Sequence, residues 1–93
     1  AYANLGDYQK AISDYTEAIR LQPDDAGTFY NRGGVFEETD DYKRAIEDYT
    51  EAPRLRPDDA DTLHYRGFSY RMIGMESRGL DDLKRSASLQ NRL

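Results

Sequence analysis

The sequence contains no cysteine, so disulfides, thiolate catalysis and cysteine-ligated metal sites are excluded. It also lacks the run of about 20 apolar residues that a membrane-spanning helix needs, so we expect no membrane insertion. No signal peptide or lipidation motif is found. Because cysteine-free proteins occur on both sides of a membrane, the localisation stays undetermined, with a soluble cytoplasmic protein as the favoured interpretation.

Basic charge is scarce relative to acidic charge. The 93 residues include 13 Lys and Arg against 18 Asp and Glu, for a net charge of -5. Binding to a phosphate backbone requires clustered Lys and Arg, and an acidic chain offers no such cluster. We therefore expect no nucleic-acid partner.

Groups suited to catalysis or metal binding are few. His64 is the only histidine, and its nearest carboxylate on the same predicted helix, Asp61, is one turn away. One His with one Asp makes a poor metal site, and no nucleophile accompanies them. The calcium loop of an EF-hand is not matched by any of the Asp-Asp pairs, which lie at 24–25, 40–41, 58–59 and 81–82. We expect no enzymatic activity, no catalytic residue, no cofactor and no metal.

The chain is similar to itself at an offset of 34 residues. The segment DYTEA at 14–18 recurs at 48–52, and PDDA at 23–26 recurs at 57–60. Such a period indicates a helical repeat array. It divides a single domain, residues 1–93, into a first unit (1–25) that lacks its opening residues, a second (26–59) and a third (60–93).

Each unit has the pattern of two helices. Phe29, Gly33 and Phe36 share one face of a helix predicted from 26 to about 38. A second helix, predicted from about residue 42, carries small and apolar side chains on one stripe: Ala45, Ile46, Tyr49 and Ala52. Helices this short are unstable alone, so their stability must come from packing against neighbours.

The predicted ends of these helices carry recognisable signals. Asp25, Asp59 and the pair at 40–41 stand where a carboxylate can cap a helix start. Pro23 and Pro57 follow the second helices and prevent their continuation. Pro53 lies inside the last turn of a second helix, where it removes a backbone hydrogen bond. We predict a kink or an early end near residue 52.

The second unit carries eight spaced positions that resemble the tetratricopeptide repeat (TPR) family: Phe29, Gly33, Phe36, Tyr42, Ala45, Tyr49, Ala52 and Pro57. The resemblance covers the whole chain, as about two and two-thirds repeats. It implies an all-α fold, a right-handed α-solenoid of antiparallel helix pairs. First helices would line a concave groove, and second helices would form the convex back.

The third unit departs from that signature at five positions, now occupied by Glu76, Gly79, Leu83, Ser86 and Asn91. We expect its last helix to keep an apolar stripe at Leu80, Leu83 and Ala87. A weakened signature is typical of a solvent-facing capping unit. A degenerate repeat followed by further chain is the alternative.

The resemblance implies a protein–protein interaction module, an adaptor or scaffold that binds a peptide or helix of a partner in its groove. Helical facing selects the candidate groove residues: Tyr30, Asn31, Glu38, His64, Tyr65, Phe68, Arg71 and Met72. Tyr65, Phe68 and Met72 recur at spacings of 3 and 4, which places aromatic and thioether surface on one face. The alternative is that these side chains only cover a neighbouring helix.

Two further expectations concern charged groove positions. Some family members grip a C-terminal carboxylate with Lys, Asn and Arg, and Asn31 matches their asparagine. Asp61 and Tyr65 stand where the lysine and arginine would be needed, so a clamp of that kind is disfavoured. Arg32 and Arg66 replace a frequent leucine. We expect their stems to lie along the core and their guanidinium groups to face water or an acidic neighbour, with ligand contact as the alternative.

A second hypothesis for the function is self-assembly into a homo-oligomer through exposed terminal helices. Because the first unit is cut, its remaining helix would expose apolar side chains to a second copy of the chain. The candidate self-association residues are Tyr2, Leu5, Ile12, Tyr15 and Ile19.

Overall fold

A computed structural model describes residues 5–91, with Leu5 described by its backbone alone. This part of the chain forms five helices and no strand: α1 Leu5–Leu21, α2 Ala26–Glu38, α3 Tyr42–Leu55, α4 Ala60–Met72 and α5 Glu76–Gln90. Each helix packs mainly against the next one in the chain. The all-α solenoid expected from the repeat period is therefore the fold observed.

Aspartate side chains begin three of the helices, as predicted. Asp25 accepts a hydrogen bond from the Gly27 backbone N–H at 3.0 Å, and the equivalent Asp59 accepts one from Thr62 at 3.1 Å. Asp41 caps α3 through the backbone N–H of Arg44 at 3.3 Å. These carboxylates satisfy N–H groups that have no partner inside the helix.

The predicted early end at residue 52 is wrong. Helix α3 continues through Pro53 to Leu55, and the Arg56 N–H still donates to the Ala52 carbonyl at 2.9 Å. A proline this close to a helix end removes one donor and leaves the following bonds intact. Ala52 is fully buried against Phe29 of α2, which holds this turn in place.

The core includes two small clusters between α2 and α3, each extended by α1. Ala26, Phe29 and Ala52 form one cluster, against which Ile19 of α1 packs. Phe36, Ala45 and Tyr49 form the other, and Ile12 of α1 packs against it. A Cβ on Gly33 would lie 2.8 Å from the Tyr49 ring, so the missing side chain permits the close crossing of α2 and α3.

The packing of α5 differs from the prediction. Of the predicted stripe, Leu83 is half-buried near Gly67, but Leu80 is 50% exposed and Ala87 is exposed. The buried residues of α5 are Gly79, Asp82 and Ser86. Helices α4 and α5 approach so closely that a Cβ on Gly67 would lie 2.8 Å from the Gly79 carbonyl oxygen. Small and paired polar residues therefore fill this contact, and the predicted apolar stripe is turned partly toward solvent.

Two arginines tie neighbouring helices together, as the prediction of a structural role required. Arg32 Nε donates to Asp48 Oδ2 at 2.8 Å, and Arg32 Nη2 donates to Asp48 Oδ1 at 2.7 Å. Arg66 holds Asp82 in the same way at 2.7 and 2.8 Å. The guanidinium groups thus face acidic neighbours on the following helix, and paired bonds of this kind are strong.

Candidate peptide-binding groove

A cleft of about 260 Å³ opens between α2 and α4, and we call it the tyrosine cleft. Its lining is Tyr15, Tyr30, Asn31, Gly34, Val35, Glu37, Glu38, Tyr49 and Tyr65. Residues of α2 form one wall because Tyr30, Gly34 and Glu37 recur at helical spacings of 4 and 3. Tyr15 from α1 and Tyr49 from α3 complete the lining.

Three tyrosine rings meet in this cleft. The ring centroids of Tyr30 and Tyr65 are 6.0 Å apart, and Tyr49 lies 6.1 Å from Tyr30 and 6.3 Å from Tyr65. Tyr49 is almost completely buried, whereas Tyr65 is 38% exposed. The rings therefore run from the core to the solvent and present apolar faces with polar hydroxyl tips.

Glu37 places a half-buried carboxylate beside these rings. The Tyr49 hydroxyl donates to Glu37 Oε1 at 3.0 Å. Burial raises the pKa of Glu37, and the hydrogen bond from Tyr49 opposes that shift. Burial and the nearby negative charge of Glu37 raise the pKa of Tyr49, so its hydroxyl stays protonated and keeps donating at neutral pH.

The sequence pattern predicted Glu38 as a groove residue and did not indicate Glu37. Both line the cleft, but Glu38 is exposed and Glu37 is the one bonded to Tyr49. The signal was available, because Glu37 follows Tyr30 by seven residues and shares its helical face. Tyr49 was correctly expected in the core, and its hydroxyl also reaches the cleft.

The predicted groove residues fall into two sets. The tyrosine cleft brings together Tyr30, Asn31, Glu38 and Tyr65. The remaining candidates lie along α4 outside the cleft lining and are exposed: His64, Phe68, Arg71 and Met72.

Phe68 and Met72 are 42% and 51% exposed. Phe68 also meets the Tyr42 ring edge-on at 6.3 Å, so it partly covers α3 while keeping a free face. We call the surface formed by Tyr65, Phe68 and Met72 the α4 face. It continues the aromatic surface of the cleft along the same helix.

The polar candidates on α4 are differently engaged. Arg71 Nε lies 3.1 Å from Glu76 Oε2, in an ion pair with both side chains largely exposed. The His64 ring packs edge-on against Tyr65 at 5.5 Å. Among residues 5–91 no group of three or more His, Cys, Asp or Glu side chains could hold a metal ion, and no helix combines the length and hydrophobicity of a membrane span.

The candidate self-association residues are less exposed than the truncated pattern suggested. Ile12 and Ile19 are half-buried because they pack against the two core clusters. Tyr15 lines the tyrosine cleft. Tyr2 and the Leu5 side chain lie outside the described residues.

A wider depression of about 820 Å³ runs over α1, α2 and α3. Its charged groups are largely neutralised by one another: Arg32 pairs with Asp48, and Arg54 lies 2.7 Å from Glu51. Paired charges leave little for a ligand to bind, so the tyrosine cleft and the α4 face are the better candidate site.

Antiparallel helix pairs, a 34-residue period and small residues at the α2–α3 and α4–α5 crossings define a helical repeat solenoid. The chain belongs to the tetratricopeptide repeat family, because a sequence profile of that family matches residues 1–60. The five helices correspond to about two and a half such repeats. No match was found among curated protein sequences.

Solved structures of other repeat proteins share the fold. A crystal structure of MamA superposes with a TM-score of 0.90 at 22% identity, covering 92% of this chain and 50% of that one. The second TPR of Spaghetti (RPAP3), bound to the HSP90 peptide SRMEEVD, gives a TM-score of 0.86 at 25% identity, with coverage of 90% and 78%. The chain thus spans about half the length of the MamA chain.

Proposed function

We propose that this chain is an interaction module, an adaptor or scaffold, that binds a segment of a partner protein along the tyrosine cleft and the α4 face. The observation that carries the proposal is a set of partly exposed aromatic side chains: Tyr30 and Tyr65, whose ring centroids are 6.0 Å apart, and Phe68, three residues after Tyr65 on α4. Partly exposed aromatic anchors beside polar groups are typical of interaction hot spots. The repeat assignment 1–25, 26–59 and 60–93, with a degenerate third unit, is part of the same proposal.

The RPAP3 domain supports the proposal by analogy, since a related architecture holds a peptide there. The chemistry of the peptide bound to that domain does not match the charge of this cleft. That peptide, SRMEEVD, is acidic, whereas Asp61 is exposed on α4 and Glu38 lines the cleft of this chain. Like charges across an interface weaken association.

Affinity capture from a lysate of the source cells tests the proposal with three proteins. The wild-type chain is compared with Phe68→Glu on the α4 face and with Leu80→Glu, a similarly exposed apolar residue on α5. Circular dichroism and urea unfolding first establish that all three are folded. We expect a partner identified by mass spectrometry to be retained by wild type and Leu80→Glu and lost by Phe68→Glu. Equal capture by all three proteins would remove the groove from consideration.

Association between copies of the chain is the second candidate function. It is favoured by Ile12 and Ile19 of α1, which keep part of their apolar surface exposed. Burial of such surface between two copies would stabilise a dimer or a stack. Light scattering across a wide concentration range tests it: a constant mass of 10.7 kDa contradicts self-assembly, and a mass that rises with concentration supports it.

A further inference from the structure

The tyrosine cleft has acidic side chains and lacks basic ones. Glu37 and Glu38 belong to its lining, and no Lys or Arg does. Burial is the main cause that raises the pKa of Tyr30, and the Asp61 and Asp59 carboxylates near the start of α4 add to it. The electrostatic potential of the cleft is therefore negative.

The basic residues around the cleft offset its negative charge only in part. Burial raises the pKa of Glu37, and the nearby His64 opposes that shift. Arg71 is engaged by Glu76, and Arg66 is engaged by Asp82. Arg56 lies on the other side of Tyr30, in a separate cavity of about 110 Å³ that it shares with Asp59 and Asp61. The charges of Arg56, Asp59 and Asp61 offset one another there, so the negative potential of the cleft rests mainly on Glu37 and Glu38.

The Glu37 carboxylate has unused hydrogen-bonding capacity. Its Oε1 accepts from the Tyr49 hydroxyl, and no side chain among residues 5–91 donates to its Oε2. A half-buried carboxylate has lost part of its hydration, and a positively charged donor compensates that loss better than a neutral one. Glu37 is thus a ready acceptor for an incoming ammonium or guanidinium group.

The aromatic lining suits the same kind of group. Tyr30, Tyr49 and Tyr65 surround the inner part of the cleft with ring centroids 6.0–6.3 Å apart. A cation near the face of a tyrosine ring is attracted by its quadrupole, and its alkyl stem packs against apolar surface. Carboxylates and aromatic rings together favour a long side chain that ends in a positive charge.

We infer that the occupant of the tyrosine cleft is a partner-protein segment that lays a lysine or arginine side chain against the Tyr30 and Tyr65 rings, with its charged end at Glu37. This inference rests on the proposed function and specifies the chemistry of its ligand. A negatively charged segment would meet Glu37 and Glu38 with unpaired carboxylates and is disfavoured for that reason.

Four pools of acetylated and amidated heptapeptides test the inference. Each pool has variable uncharged residues on both sides of a fixed central residue, which is Lys, Arg, Gln or Glu. Binding to the immobilised wild-type chain is measured at low and high salt. We expect the Lys or Arg pool to be retained about tenfold more than the Gln pool at low salt, and the Glu pool not to be retained.

Two variants separate the cleft from the general acidity of the chain. Glu37→Gln keeps an acceptor for the Tyr49 hydroxyl but removes the charge, and Glu47→Gln removes an exposed charge beside the depression over α1–α3. We expect the preference for Lys or Arg over Gln to disappear in Glu37→Gln and to remain in Glu47→Gln. Circular dichroism checks the fold of both.

The outcomes distinguish this inference from the proposed function. The cationic occupant is overturned if the Gln or Glu pool is retained as well as the Lys and Arg pools, or if no pool is retained. The effect of Phe68→Glu on partner capture still decides the proposed function in either case. If Glu37→Gln keeps the preference for the Lys or Arg pool over the Gln pool, the inference is also overturned, because another group would then bind the positive charge. Loss of partner capture in Phe68→Glu without any cationic preference leaves the groove with a ligand of different chemistry.

Discussion

Arg32 and Asp48 form a two-bonded ion pair between α2 and α3, and Arg32 also donates to the Thr16 hydroxyl of α1 at 3.1 Å. The Arg32 and Asp48 side chains are 20% and 5% exposed, so the carboxylate is the more buried partner. The same arrangement recurs 34 residues later, where Arg66 connects Thr50 and Asp82.

Arg32→Ala should destabilise the protein by about 3 kcal/mol, because it leaves the Asp48 carboxylate buried without its cation. The measurement is the free energy of unfolding from urea denaturation at pH 7. Arg54→Ala is the control, since its ion pair with Glu51 is exposed and should contribute less than about 1 kcal/mol. Equal costs for the two substitutions would show that the buried pair has no special role.

The cost of Arg32→Ala should also depend on pH. Burial raises the pKa of Asp48 and Arg32 opposes that shift, so the pKa rises further when Arg32 is removed. A carboxyl with a raised folded pKa favours folding when it is protonated, and this contribution is lost as pH rises through the folded pKa. The difference in stability between wild type and Arg32→Ala should therefore shrink as pH falls from 7 toward the usual aspartate pKa. A constant difference would contradict this account.

Gly33 and Gly34 are adjacent but should respond oppositely to alanine. A Cβ on Gly33 would lie 2.8 Å from the Tyr49 ring, whereas one on Gly34 would come no closer than 3.8 Å to the Tyr49 hydroxyl. We expect Gly33→Ala to destabilise by about 1–3 kcal/mol through overpacking. Gly34→Ala should stabilise by about 0.5–1 kcal/mol through helix propensity. Urea unfolding measures the free energy of unfolding of both variants. A change of the same sign in both would contradict the prediction.

Ser69 and Ser86 are both buried, yet only one of them has a hydrogen-bond partner. Ser86 donates to the Ala60 carbonyl at 2.7 Å, whereas the Ser69 hydroxyl has no partner in the described structure. Ser69→Ala should stabilise the protein by about 1 kcal/mol, and Ser86→Ala should destabilise it by a similar amount. Thermal and urea unfolding of the two variants measure these changes in stability. Loss of stability in Ser69→Ala would indicate that its hydroxyl is satisfied in solution.

Asp40 and Gly74 occupy equivalent turns between the two helices of a unit, and both have positive φ, 61° and 84°. An aspartate tolerates this left-handed conformation less well than glycine, although Asp40 also accepts a hydrogen bond from Tyr42 at 3.0 Å. Asp40→Gly should raise the free energy of unfolding by about 0.5–1 kcal/mol, and Gly74→Ala should lower it by about 1 kcal/mol. Urea denaturation measures both changes in the free energy of unfolding, and changes of the same sign in the two variants would contradict the prediction.

The helices and their starts were predictable because their signals are local. The 34-residue period placed the helix pairs, and the caps at Asp25, Asp41 and Asp59 depend on residues two or three positions away. The role of Arg32 was also predictable in kind, since a long cation in a core position must find a carboxylate or water. Its partner Asp48 was not identified, because 16 residues separate them.

The contacts that depend on tertiary packing were not predictable in the same way. The prediction that Leu80 and Ala87 are buried was wrong, because α4 and α5 approach too closely for large side chains at their contact. Asp82 is buried there instead, since its ion pair with Arg66 compensates the cost of burial. Pro53 was expected to kink α3 or to end it near residue 52, but the helix continues to Leu55 with Ala52 fully buried. In the candidate groove, the bond between Glu37 and Tyr49 joins residues of different helices and has no counterpart in the local pattern.

Each arginine bridge also determines how the array comes apart. Arg32 is bonded to α1 and α3 at once, and Arg66 to α3 and α5, so α3 carries one end of each bridge. In a linear array, strong coupling between nearest neighbours suppresses states in which one unit is melted and the next is intact. Release of α5 would have to break the Arg66–Asp82 pair, and release of α2 from α3 would have to break the Arg32–Asp48 pair, so each step exposes a buried aspartate. The helix pairs α2–α3 and α4–α5 should consequently each unfold as a unit rather than helix by helix.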